Sequence, residues 1–109
     1  MIKMNIEIEK ADTFLKRLIG LMFKKKIDKG LLFDLGREKK QGAAIHSFFV
    51  FSRFDAVFLD KNIEIVDIKR KIKPFKPYIK PKKPSRYILE LPPGKADEEE
   101  LKIGGKINL

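Results

Sequence analysis

Apolar and polar residues alternate from the first positions of the chain: Ile2, Met4, Ile6 and Ile8 face one way and Lys3, Asn5, Glu7 and Glu9 the other. That period of two predicts an antiparallel strand with one wet face. Asp12 or Thr13 then caps a short helix whose Phe14, Leu15, Leu18 and Ile19 form one stripe, and Gly20 suits its left-handed exit. After an apolar plug at 21–23 and a lysine loop, Gly30 introduces a strand over 31–35, followed by a polar turn over 36–42. The densest apolar stretch, 43–60, reads as two strands folded on each other about Ser52 and Arg53. In its second arm Phe54, Ala56 and Phe58 share one face while Asp55, Val57 and Leu59 share the other. Apolar residues on both faces predict a central element covered on both sides.

Lys61 and Asn62 make a tight connection, with Asn tolerating positive φ, into a strand over 63–72. The alternation of Ile63 and Ile65 slips at Val66 and resumes with Ile68, which predicts a bulge near Val66. Pro74, Pro77, Pro81 and Pro84 stand among lysines and predict an extended, polyproline-like surface run. Arg86 to Leu91 returns to strand, Pro92-Pro93-Gly94 turns the chain, 97–100 forms a helical turn or acidic loop, and 106–109 closes as a last strand. The expected fold is mainly β: a small single-domain sandwich or barrel of about seven strands with one short N-terminal helix.

The chain has 109 residues, enough for one domain, 1–109, with a real core. It contains no cysteine, which excludes disulfides, thiol catalysis and cysteine-ligated metal and fits a reducing cytoplasm. The alternating N-terminus reads as a strand rather than a signal peptide, and no apolar run approaches a membrane span. Abundant Lys, Ile and Glu lean towards a heat-adapted source. The net charge of +10 suggests nucleic acid until it is located: the Pro-Lys loop at 69–86 holds nine of the 25 basic residues and no acid, leaving 16 against 15 elsewhere.

Several pieces together resemble one family: Arg17-Leu18-Ile19-Gly20-Leu21-Met22-Phe23, Gly30-Leu31-Leu32-Phe33, Ile45-His46-Ser47-Phe48-Phe49, Asp55-Ala56-Val57-Phe58-Leu59-Asp60, Leu89-Glu90-Leu91-Pro92-Pro93-Gly94 and Ile103-Gly104-Gly105. Their order and spacing resemble the domain of unknown function 192 family, also called uncharacterised protein family 0127. The chain departs from it at His46, where members often have Trp, at Val50 and Arg53, and at Gly105, where an Asp usually follows the Gly. The resemblance implies a compact, mostly β domain and no established activity.

Candidate chemistry is sparse. His46 titrates near neutrality and suits a general base or a ligand contact, but has no second His or Cys to share a metal; the plainer reading is a satisfied core histidine. Arg17 can reach Asp55, Asp60 or Glu90 as a fork-to-carboxylate pair, which packing alone also explains. Asp55 and Asp60, five apart, point to opposite faces of a straight strand. No nucleophile elbow, phosphate loop or metal-ligand spacing is present, so no cofactor or metal is expected. The leading reading is a non-enzymatic binding module for a small polar ligand or protein partner, with Arg17, His46, Phe48, Phe49, Phe54, Asp55, Asp60 and Glu90 as candidate contacts. The alternatives are a hydrolase-like enzyme pairing His46 with Asp55 or Asp60, and a weak nucleic-acid binder through Lys76, Lys80, Lys82, Lys83 and Arg86.

Overall fold

A computed structural model describes residues 2–3, 6–11, 30–39, 53–73 and 80–108. Its elements in chain order are β1 (Ile2–Lys3), β2 (Ile8–Ala11), β3 (Gly30–Lys39), β4 (Phe54–Leu59), β5 (Ile65–Ile72), β6 (Ser85–Leu91), the short helix α1 (Lys95–Glu98) and β7 (Ile107–Asn108). They form a five-stranded sheet in the order β2-β3-β6-β4-β5 and a two-stranded pair β1-β7. The four strands from β3 to β5 are antiparallel neighbours, and β2 is added parallel to β3. Among the described residues this sheet is open, with β2 and β5 at its edges. The mainly β class therefore holds, while no closure into a barrel is present among these residues; the expected N-terminal helix lies outside them.

Strand β4 is the centre. All six of its residues are buried, as a strand with apolar side chains on both faces must be. Phe54, Ala56 and Phe58 pack in one cluster with Leu31, Phe33, Ile72 and Ile88. Val57 and Leu59 pack in the other with Leu32, Ile65, Leu89, Leu91, Ala96, Leu101 and Ile107. The sheet is thus a middle layer between two cores, and α1 and the segment leading to β7 cover the second. Both edges of β4 are occupied, by β5 and by β6. The expected hairpin about Ser52 and Arg53 is accordingly not how β4 is paired.

The pairing of β4 with β5 slips twice. One shift lies between Phe58 and Leu59, opposite Asp67 and Ile65, which leaves Val66 as the extra residue where the sequence predicted a bulge. The second lies between Phe54 and Ala56, opposite Ile72 and Lys69, and there Lys71 has φ 48°.

Three local expectations are corrected. The N-terminal alternation continues in β2, with Ile6 and Ile8 packed on the second core, but it is divided between two strands, both paired in parallel. Period two sets which side chains share a face and is silent on strand direction. Strand β3 runs past Leu35 through Gly36 to Lys39, with a register shift after Asp34. In the β4-β5 connection the positive φ of 60° falls on Ile63 and not on Asn62; Ile63 is partly buried against the second core, which offsets the strain of a β-branched residue there.

Close approach explains Gly30, where a Cβ would stand 3.2 Å from both Ile8 Cγ1 and Leu91 Cδ2. Pro92 to Lys95 form a type II turn, with Gly94 at φ 84° and ψ −9° and Lys95 N donating to Pro92 O at 3.0 Å. The helical turn expected near 97–100 is α1, and it ends in a Schellman motif. Leu101 N donates to Ala96 O at 2.9 Å and Glu100 N to Asp97 O at 3.0 Å. Glu100, at φ 56°, occupies the left-handed position where Gly is usual. A non-glycine residue there costs about 1–2 kcal/mol, against roughly 0.4–1 kcal/mol of unfolded-chain entropy that Gly would add. Glu100→Gly should therefore raise stability by about 0.5–1 kcal/mol, read as a higher urea midpoint with an unchanged slope; a lower midpoint contradicts this account of the cap.

Candidate functional site

The acids singled out in the sequence are buried or half-buried, and three carboxylates hold backbone. Asp55 is fully buried on the Val57 and Leu59 side of β4. Its Oδ1 accepts from Lys71 N at 2.7 Å and its Oδ2 from Ala96 N at 2.9 Å. The first amide lies at the second irregularity of β5 and the second in the first turn of α1, so one carboxylate satisfies donors that no ladder reaches. Gly94, at the helix start, has no side chain to cap it.

Asp60 serves the next turn, its Oδ1 accepting from Asn62 N at 2.8 Å and Glu64 N at 3.0 Å. Asp67 was not a sequence candidate, yet it is 2% exposed. Its Oδ1 accepts from Ile68 N at 2.8 Å, and its Oδ2 accepts from Lys82 N at 2.9 Å with Lys69 Nζ at 3.3 Å. The signal for it was an acid inside the apolar run at the Val66 slip, the last acid before the Pro-Lys loop.

Glu90 stands apart. It pairs in register with Leu31 of β3 and Ala56 of β4, both members of the first core cluster together with Phe54 and Ile88. It is 3% exposed, and among the described residues its Oε2 has no hydrogen-bond partner. Burial pushes its pKa well above the ordinary value of 4.5, because removal from water penalises the charged form. Asp55 and Glu90 therefore lie on opposite faces of the sheet and form no carboxylate pair.

Of the remaining candidates, Phe54 is fully buried on the Glu90 side, while Arg17, His46, Phe48, Phe49 and Lys76 lie outside the described residues. Lys80, Lys82 and Lys83 are exposed. Arg86 does not join them as a free cation: its Nε and Nη2 donate to Asp34 at 3.1 and 3.4 Å, and its guanidinium stands 5.2 Å from the Tyr87 ring centre. Among the described residues no cluster of three or more acids or histidines can hold a metal ion, and no helix is long and apolar enough to cross a membrane.

An open, mainly antiparallel sheet between two cores, with backbone-clamping acids and one buried carboxyl apart from them, defines a small β domain. The chain belongs to the domain of unknown function 192 family, whose model, described as "Uncharacterized ACR", matches residues 2–109. A UPF0127 protein of Pyrococcus horikoshii is 43% identical over 101 residues, covering 93% of this chain and 85% of that protein. One of Thermococcus sibiricus is 41% identical over 98 residues, covering 90% of this chain and 62% of its own length. These relatives come from thermophilic archaea, in line with the heat-adapted composition. A crystal structure of a protein of unknown function from Novosphingobium aromaticivorans shares the fold at TM-score 0.83 and 21% identity, covering 93% of this chain and 73% of that one.

Two outcomes follow from the acids. Asp55→Ala leaves the buried Ala96 amide and the part-buried Lys71 amide without an acceptor and should lower stability by roughly 2–4 kcal/mol, since each costs about 1–3 kcal/mol and the part-buried one less; Asp60→Ala, at a more exposed turn, should cost about 1 kcal/mol by urea titration. Equal losses would show that Asp55 does not bridge β5 and α1. For Glu90 the folded state holds its proton more tightly than the unfolded chain. Its contribution is fully present below pH 4.5 and is lost as pH rises towards the raised folded value. Glu90→Gln should match the parent near pH 4 and exceed it increasingly towards pH 7, in unfolding free energy measured against pH; a constant offset contradicts this.

Proposed function

We propose that this is a non-enzymatic binding module whose polar contact for a small polar ligand is Glu90, on the Phe54 and Phe58 side of the sheet. One observation carries the reading: Glu90 Oε2 is buried without a partner among the described residues. Leaving such an atom unpaired costs about 1–3 kcal/mol, and Asp55 and Asp67, equally buried, are both satisfied by amides. A carboxyl kept in apolar surroundings at that cost, beside aromatic side chains, is the mixture that ligand sites use. A neutral carboxylic acid both donates and accepts, which suits a ligand with adjacent donor and acceptor groups.

The hydrolytic alternative draws less support. It asks Asp55 or Asp60 to orient His46, and both oxygens of Asp55 already accept from backbone amides while Asp60 holds its own turn.

The test is a thermal-shift screen of small metabolites against the parent chain and Glu90→Leu. A specific ligand stabilises the folded state by mass action, about 2.7 kcal/mol at a hundredfold excess over Kd. The expected outcome is a Leu variant that melts higher than the parent without ligand and no longer responds to the ligand that shifts the parent. A Leu variant that melts lower, or responds equally, would make Glu90 a structural group and remove this reading.

A further inference from the structure

We infer that Lys80, Lys82 and Lys83 form a fixed cationic strip that docks on the phosphate backbone of nucleic acid. The inference is independent of Glu90 and begins with the anchoring of this short segment. Pro81 is buried, Lys82 N donates to the buried Asp67 carboxylate at 2.9 Å, and Ser85, also buried, donates its hydroxyl to Lys83 O at 3.2 Å. The backbone at 81–85 is therefore tied to the β5 side of the sheet and the start of β6, while the three lysine side chains are exposed around it.

Among the described residues, three acids that meet the 69–86 segment are engaged by its other cations. Asp67 is engaged by Lys69 as well as by the two amides, Asp97 pairs with Arg70, and Asp34 pairs with Arg86. From residue 68 to 89 the chain has no acid. Three unpaired ammonium groups on an anchored backbone repel one another, and a closely spaced row of negative charges relieves that repulsion. Lys80 and Lys83 are at most about 10 Å apart along the chain, a length of duplex axis that carries about six phosphate charges at roughly 1.7 Å each.

The surroundings favour nucleic acid over the other polyanions. Peripheral attachment to an anionic membrane draws on an apolar face beside the cations, and among the described residues the one exposed large hydrophobic side chain is Ile103. A protein partner draws on exposed aromatic anchors, and the described aromatic residues are buried or half-buried.

The test is fluorescence anisotropy of a labelled duplex, and of its single strand, against salt concentration. Two variants of the full chain with equal loss of charge are compared: Lys80→Ser, Lys82→Ser and Lys83→Ser together, and Lys10→Ser, Lys102→Ser and Lys106→Ser together, the latter three also exposed. At about −0.9 per duplex contact, the strip variant should lose roughly 2.7 from the slope of log K against log salt, with little dependence on base sequence, while the control keeps the parent slope. The substitutions leave Pro81 and the Lys82 amide in place, so both variants should melt as the parent does. Absence of binding by the parent, equal weakening in both variants, an unchanged slope in the strip variant, or tighter binding to phosphatidylserine vesicles than to duplex would each overturn the inference.

Discussion

The carboxylate of Asp55 is the joint on which the described fold turns. Strand β5 leaves its register with β4 just where Lys71 takes a positive φ, and α1 begins after a glycine with no capping side chain. Each departure frees a backbone N–H, part-buried at Lys71 and buried at Ala96, and one buried carboxylate accepts from both. A buried charge is costly by itself, but hydrogen bonds from amides to an ionised acceptor are among the stronger ones. The joint also seats Ala96 and Leu101 on the second core. Arg70 and Asp97 span the same junction at 2.7 Å, yet both are well exposed, and such surface pairs contribute little.

The same device recurs twice along the next strand. Asp60 holds the β4-β5 turn, and Asp67, beside the Val66 bulge, holds the returning lysine segment. In each case a short acid in or beside a strand accepts from nearby turn, strand or loop amides. Glu90 has the longer side chain, lies on a regularly paired stretch of β6, and meets no such amide. The contrast separates anchoring acids from the one whose carboxyl has no structural employment in view.

Much of this layout was legible in the sequence, because period-two alternation is a direct projection of which side chains share a face. It placed Phe54, Ala56 and Phe58 opposite Asp55, Val57 and Leu59, and its slip at Val66 marked the bulge. It carries no information on strand direction, so the parallel pairing of β1 and β2 was not readable. Positive φ was assigned to Asn62 by residue preference, and burial of Ile63 overrode that preference. Asp55 was visible as an acid on an apolar row, but its donors lie 16 and 41 residues away. Arg86 was counted with the basic loop because its partner Asp34 lies 52 residues back. Composition locates charge along the chain; only the fold decides which charges remain unpaired.

That last distinction separates two kinds of basicity in the segment 69–86. Lys69, Arg70 and Arg86 each meet an acid brought to them by the sheet or by α1, so their charges are spent on internal pairs. Lys80, Lys82 and Lys83 flank an anchored proline, and among the described residues none of them pairs with an acid. A loop whose lysines only kept the protein soluble would have no need of a buried proline and a buried carboxylate to fix its backbone, since solvation is indifferent to position. Anchoring a cationic segment costs conformational entropy, and the cost is intelligible where the spacing of the charges matters to what they meet.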